Sequence, residues 1–222
     1  MSIPCTSACR SALVLALLSA WLTACSGGLR SVDPPAFIYT LATPAAATVA
    51  EPAQATLPYV LTVLTPAVQP GLAQDGIALI TADRRLDYFA NSRWPDALPR
   101  VVGALIVQTL RGSGAIATVS DDTTPFAADY LLRVDVSQFE AHYTGAATDA
   151  GAVPTVQVRL ECTLARRIDR VVVASFVARG AEAATENRMA AVVLAFDRAS
   201  QAALSELRGQ TLQALAAQKS VR

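Results

Sequence analysis

Lysine is nearly missing from this chain: Lys219 is the only one among 222 residues, and arginine supplies the rest of the positive charge. Formal net charge is zero, so there is no basic excess to draw in a nucleic acid. Histidine is equally scarce, His142 standing alone. A zinc site usually wants four protein ligands, or three plus water, so no metal site is expected. A serine hydrolase would need His142 as base together with a Gly-x-Ser-x-Gly elbow. The nearest lookalike, Gly112-Ser113-Gly114, follows a helical pattern and reads as its stop. Walker and dinucleotide fingerprints are missing, so no bound nucleotide is expected. Paired Asp121 and Asp122 read as a solvated turn in preference to a cation site. No catalytic residue and no cofactor is expected. Aromatic residues make up only 6% of the chain, while hydrophobic residues make up 53%, much of it alanine.

What is present at the start is an apolar run from Leu13 to Trp21, after Arg10 and before Leu22-Thr23-Ala24-Cys25. A spanning helix needs about 20 apolar residues and this run has roughly 13, so it reads as the h-region of an exported precursor. Leu22, Thr23, Ala24 and Cys25 look like a bacterial lipobox, in which the Cys25 thiol takes a diacylglyceryl group and becomes the first mature residue. Two or three acyl chains hold a protein on a membrane essentially permanently, since each buried methylene contributes about 0.8 kcal/mol. Ser26 in the second mature position resembles lipoproteins passed on to the outer membrane. Cys5 and Cys9 leave with the signal, so Cys162 is the one spare thiol and no internal disulfide forms. Residues 1–24 are thus a cleaved signal peptide, 25–35 a lipidated N-terminus and tether, and 36–222 one periplasmic domain.

Along that domain, Phe37 to Leu41 and Tyr59 to Leu64 read as strands, separated by an alanine, proline and threonine loop. Gly76 to Thr81 and Leu86 to Phe89 flank Asp83-Arg84-Arg85 as a hairpin. A helix starts near Ala97, with Pro99 in its first turn and Leu98, Val101, Val102 and Leu105 on one stripe, then Thr109 or Leu110, and it stops at Gly112 to Gly114. Ile116 to Val119, Tyr130 to Tyr143, Pro154 to Arg166 and Val171 to Ala183 are consecutive strands, a pattern that favours antiparallel pairing through short turns. In Val156 to Leu164 the even positions are apolar, which places Cys162 on the buried face. Arg166, Arg167 and Arg170 form a basic cluster that reads as a solvated turn. The longest helical pattern runs from Asn187, as N-cap, to about Ala217. Two helices on a mostly antiparallel sheet make a single α+β domain. Trp94, beside Arg93 and before Pro95, packs as a hinge between hairpin and helix, or stands exposed as a binding anchor. An exposed sheet edge, if one exists, offers a route to a homo-oligomer or to augmentation by a partner.

Taken together, the lipobox, Tyr39-Thr40-Leu41, Leu86-Asp87-Tyr88 leading into Arg93-Trp94, the helix that follows, Asp129-Tyr130-Leu131-Leu132 and Val192 to Phe196 resemble the ABC-type transport auxiliary lipoproteins. The resemblance covers nearly the whole mature chain and rests on order and spacing. Gln69-Pro70-Gly71-Leu72 departs from the family's usual Tyr-Leu-Asp-like approach to the next strand. The resemblance implies a non-catalytic, outer-membrane partner of an envelope ABC permease and ATPase whose periplasmic component carries mammalian-cell-entry domains. Such systems are thought to move phospholipids or other apolar molecules, and the lipoprotein would dock the periplasmic assembly, with Trp94, Arg93 and Tyr88 as candidate partner-binding residues. The alternative is a carrier that binds lipid itself, in a pocket between the sheet and the terminal helix.

Overall fold

The computed structural model describes residues 35–43, 56–123, 127–145 and 152–219. Cys25 and the lipobox lie outside the described residues. Residues 36–222 form one compact unit. Nine strands and two helices are described in it: β1 (Phe37–Ile38), β2 (Leu57–Val63), β3 (Ala67–Val68), β4 (Gly76–Ile80), β5 (Leu86–Arg93), α1 (Leu98–Gly112), β6 (Ile116–Asp121), β7 (Tyr130–His142), β8 (Thr155–Arg166), β9 (Val172–Ala183) and α2 (Met189–Lys219). All nine strands join a single sheet, so the domain is α+β as expected.

β7 is its centre. On one edge it pairs antiparallel with β8 along its whole length, from Tyr130 opposite Arg166 to His142 opposite Thr155. β8 pairs antiparallel with β9 in turn. The opposite edge is assembled differently. β2, β3 and β4 follow one another along β7, all parallel to it: Leu61 lies beside Tyr130, Ala67 beside Asp135, and Leu79 beside Ala141. Residues 57–80 are therefore one interrupted strand. Pro66 follows the first piece, and a 3-10 turn at Pro70–Leu72 separates the second from the third; a proline nitrogen has no hydrogen to give a sheet. β6 adds in parallel outside β2, and β5 antiparallel outside β4, with β1 parallel to β5. The expectation of a mostly antiparallel sheet thus holds for the long ladders, while β2, β3 and β4 attach to β7 in parallel.

The helices share one face. α2 lies on β8 and β9, and α1 on β2, β3 and β6. Even residues of β8 from Val156 to Leu164 are buried, the period-2 signature of a strand with one covered face. On β7 the buried apolar set is Tyr130, Leu132, Val134 and Val136, then Phe139 and Ala141. The change of parity is made by a bulge: Val136 faces Leu160 but Gln138 faces Arg159, which leaves Ser137 extra. Without it, Phe139 would point away from the core. Along α1, Leu98, Val102, Leu105, Thr109 and Leu110 of the expected stripe are buried and Val101 is half-buried, with Ile106 and Val107 buried beside them, and the chain leaves through Gly114 at φ 63°, a conformation glycine adopts without strain. α2 approaches β9 so closely that a Cβ on Gly180 would sit 1.9 Å from the Ala199 carbonyl oxygen.

Two local expectations need correction. β5 does not end at Phe89 but continues to Arg93, because Asn91 at φ 52° absorbs a large irregularity between the pairs Ala78 with Tyr88 and Gly76 with Arg93. Asn187 is two residues ahead of α2, and its Oδ1 accepts a hydrogen bond from the Tyr143 hydroxyl at 2.7 Å; its side chain ties the strand end to the helix start.

Candidate interaction site

The segment from Tyr88 to Trp94 carries the three side chains expected to meet a partner, and β5 places them in three different environments. Trp94 is 1% exposed. Its ring meets Phe196 of α2 at 5.3 Å and Phe139 of β7 at 6.0 Å, both edge-on, the arrangement aromatic quadrupoles prefer. Its backbone nitrogen donates to the Asp75 carbonyl oxygen at 2.7 Å. The indole therefore serves the hinge role, joining the end of β5 to sheet and terminal helix, and presents no surface to a partner in this domain.

Tyr88 is half-buried, and its hydroxyl donates to the Gly71 carbonyl oxygen. Its ring lies over Gly76, where a Cβ would come within 2.8 Å of Cδ1. Tyr88 thus pins the break between β3 and β4, the stretch containing Gln69-Pro70-Gly71-Leu72. Arg93 is exposed and forms an ion pair with Asp75 at 3.4 Å. Exposed pairs of this kind contribute little to stability.

What surrounds Arg93 was not evident from the sequence. Ile38 of β1 pairs with it and Phe37 with Ser92; these two apolar side chains are 64% and 67% exposed. The strand pattern at residues 37–41 was visible, but nothing local told that its first two members face water. Beyond β1 the chain turns inward: the Tyr39 nitrogen donates to the Arg93 carbonyl, that of Ala42 to Asp197 of α2, and the Thr43 hydroxyl to Gln108 of α1. β1 is thereby fastened across both helices.

Two spaces bear on ligand binding. Between α1, α2 and the sheet, among Val102, Leu105, Phe139, Val158, Leu160, Ser200 and Leu204, the void is about 10 Å³, at most the room of one water. A second, open cleft of about 330 Å³ lies beside α1, floored by Val63, Leu64, Gly103, Ala104 and Val107 and rimmed by Arg100 and Asp122. Asp122 is engaged there, accepting from both the nitrogen and the hydroxyl of Thr65, as a turn-forming aspartate does.

The remaining reactive groups are held in place. Cys162 is buried, and burial pushes its thiol up to about 12, so the nucleophilic thiolate is suppressed. His142 Nε2 lies 3.1 Å from Glu140 Oε1, and the other Glu140 oxygen accepts the Phe139 amide. Among the described residues no group of three or more His, Cys, Asp or Glu is placed to share a metal ion, and no helix is long and apolar enough to cross a membrane. Arg166 pairs with Asp169 at 3.1 Å in the β8 to β9 turn, and Arg167 Nε donates to the Ala128 carbonyl at 2.6 Å.

Comparison with known proteins gives this geometry its context. No curated protein matches the chain. Among solved structures, a protein from Xanthomonas campestris is similar with TM-score 0.71 and 25% identity, covering 84% of this chain and 100% of that one. An uncharacterized protein is similar with TM-score 0.60 and 15% identity, over 80% of this chain and 99% of its own, a likeness of fold alone. The family model of the ABC-type transport auxiliary lipoprotein components matches residues 39–207, from Tyr39 just after β1 to Leu207 in α2. The chain belongs to that family of ABC-type transport auxiliary lipoprotein components.

Proposed function

We propose that this protein is a non-catalytic, lipid-anchored outer-membrane subunit of an envelope ABC system whose periplasmic component carries mammalian-cell-entry domains. It docks that assembly at the membrane, in a system that moves phospholipids or other apolar molecules. Cys25 carries the lipid, with Leu22, Thr23 and Ala24 as its recognition sequence, and Ser26 directs the protein to the outer membrane. The observation that carries the docking role is the contrast between a filled interior and an apolar edge. The space beneath α2 is about 10 Å³, too small for an acyl chain, while Phe37 and Ile38 stand exposed beside Arg93 on an edge strand. Apolar side chains on a strand edge with an arginine next to them suit a protein partner.

The test is crosslinking of the tagged, lipidated protein in its own envelope, with proteins and lipids both identified. Recovery of a mammalian-cell-entry-domain protein with its permease and ATPase is the expected result, and Phe37→Ser with Ile38→Ser should reduce it. Recovery of copies of the chain alone would indicate a homo-oligomer formed through an edge such as β9. The carrier alternative expects its pocket between the sheet and α2, where the void is about 10 Å³; stoichiometric lipid on the anchorless protein would support it instead, with the cleft beside α1 as the larger space.

A further inference from the structure

β9 ends the sheet on the β8 side, and among the described strands it pairs with β8 alone. Its register on β8 is unbroken from Ala174 opposite Leu164 to Ala183 opposite Thr155. One hydrogen bond shows which of its backbone groups point away from β8: the Arg179 amide donates to Glu206 Oε2 of α2 at 2.8 Å. An amide held by Glu206 is not held by β8, and the direction of backbone groups alternates along a strand. Ser175, Val177, Arg179, Ala181 and Ala183 therefore turn N–H and C=O to the open flank. Natural sheets blunt such an edge by proline, lysine, a bulge or shortness. β9 has twelve residues with no proline and no lysine, and its register shifts only at its start, between Leu164 and Ala165 of β8. Ser175, Ala181 and Ala183 are small and exposed. α2 lies over β8 as well as β9, and Glu206 is the side chain that reaches from it to an outward amide. At the β6 edge α1 supplies a counterpart of opposite charge, since Arg111 Nε donates to the Val119 carbonyl at 2.8 Å.

We propose that Glu206 is a guard on the β9 edge: with its carboxylate on the Arg179 amide the edge stays unpaired, and with it withdrawn a second copy of this chain adds β9 to β9. A row of outward amides and carbonyls is matched by another extended strand. The side chains of β9 suit its own copy. Two β9 strands related by a two-fold axis run antiparallel, and an axis at Val177 sets that residue opposite itself. Arg179 then meets Ser175, Ala181 meets Val173, and Glu182 meets Val172. No like charges face each other, the arrangement that would destabilise a cross-strand pair. In this register the Arg179 amide is also the donor for the Ser175 carbonyl of the second copy, so guard and strand compete for one hydrogen. A carboxylate is the stronger acceptor, which favours the guarded state. The inference stands apart from the docking reading, which uses the β1 edge.

The test uses the mature chain with Cys25→Ala and a reporter thiol at Val177→Cys; Cys162 is buried and does not compete. A short bismaleimide joins two reporter thiols where β9 meets β9, and the product is read on a denaturing gel over a range of protein concentrations. Little crosslinked dimer is expected with Glu206 in place. Glu206→Ala should raise it about tenfold or more, increasingly so at higher concentration. Glu206→Gln, whose amide oxygen still accepts the Arg179 hydrogen, should stay near the parent. Adding Ser175→Pro to Glu206→Ala should abolish the product, because proline there gives up no bond to β8 but has no hydrogen for the second copy. Ser175 and Glu206 are exposed, so circular dichroism of all variants should match the parent. In the Ser175→Pro background, which holds the chain unpaired, Glu206→Ala should also speed exchange of the Arg179 amide while Ala178 and Gly180 stay protected. Equal crosslinking of parent and Glu206→Ala, high or low in both, would overturn the proposal. So would an Arg179 amide equally protected with and without Glu206, or a crosslink that survives Ser175→Pro, which would mean that the thiols meet elsewhere than along β9.

Discussion

The two edges of β7 are built on opposite principles. On the β8 side, one uninterrupted strand returns through a connection at residues 143–154 and pairs residue for residue apart from one bulge. On the other side, residues 57–80 reach the same strand in three pieces, from sequence positions about 60 to 70 residues away. The first edge follows from local pattern, whereas the second is held by tertiary pins. Those pins are the Tyr88 hydroxyl on Gly71, the Trp94 ring between β7 and α2, and the crossing of residues 39–43 over both helices. Pairing of the second kind closes long loops before it is stabilised, so this edge is expected to open at lower free energy.

Substitutions can break that contrast. The largest effect is expected from Trp94→Ala, which empties the junction of both edges and the terminal helix; loss of about 3–5 kcal/mol is expected in urea unfolding. On the β8 side, Gly180→Ala sets a methyl against the Ala199 carbonyl and should cost about 3 kcal/mol by separating α2 from β9. Gly209 lies in the same helix, and a Cβ added there would meet nothing within 4 Å. It supplies the opposite sign: Gly209→Ala should stabilise by about 0.5–1 kcal/mol. If both glycine substitutions behaved alike, the tight seam between α2 and β9 would be refuted.

Smaller effects sharpen the comparison. Tyr88→Phe removes the hydroxyl from Gly71 and should cost about 1 kcal/mol, with faster amide exchange confined to β3 and β4 while β8 stays protected. Cys162 reports on the other edge through alkaline pH. Its folded pKa is raised to about 12 by burial, whereas the unfolded thiol titrates near 8.5. Above the unfolded value the unfolded state releases the proton first, so stability is fully present below about pH 8.5 and falls by about 1.4 kcal/mol per pH unit toward 12. The Cys162→Ala protein should lack that component of the alkaline slope, and native Cys162 should resist thiol reagents at neutral pH.

Legibility in the sequence followed the same division. Alternation in β8, the stripe and glycine stop of α1, and the hairpin of β4 and β5 were readable because each pattern is set by neighbours a few residues apart. The extension of β5 through Asn91 was not, since it depends on how far β5 must run before Trp94 meets Phe139 and Phe196. The same holds at the candidate surfaces. Arg93 and the arginine cluster could be named from the sequence, but the exposure of Phe37, Ile38 and Ile168 could not, because a strand pattern does not tell whether its end is covered.

By itself the sequence determined the class of the domain, the membership of its long hairpins and helices, and the burial of Cys162, all consequences of apolar periodicity. It also carries Leu22 to Cys25, the stretch we propose as a lipobox, whose reading needs no fold. Tertiary structure alone decided that residues 57–80 pair in parallel with β7, that Trp94 belongs to the core, and that the apolar side chains of β1 and the β8 to β9 turn face outward. Those outcomes depend on which distant surfaces meet, and the free energy of such meetings is shared among residues that no local pattern connects.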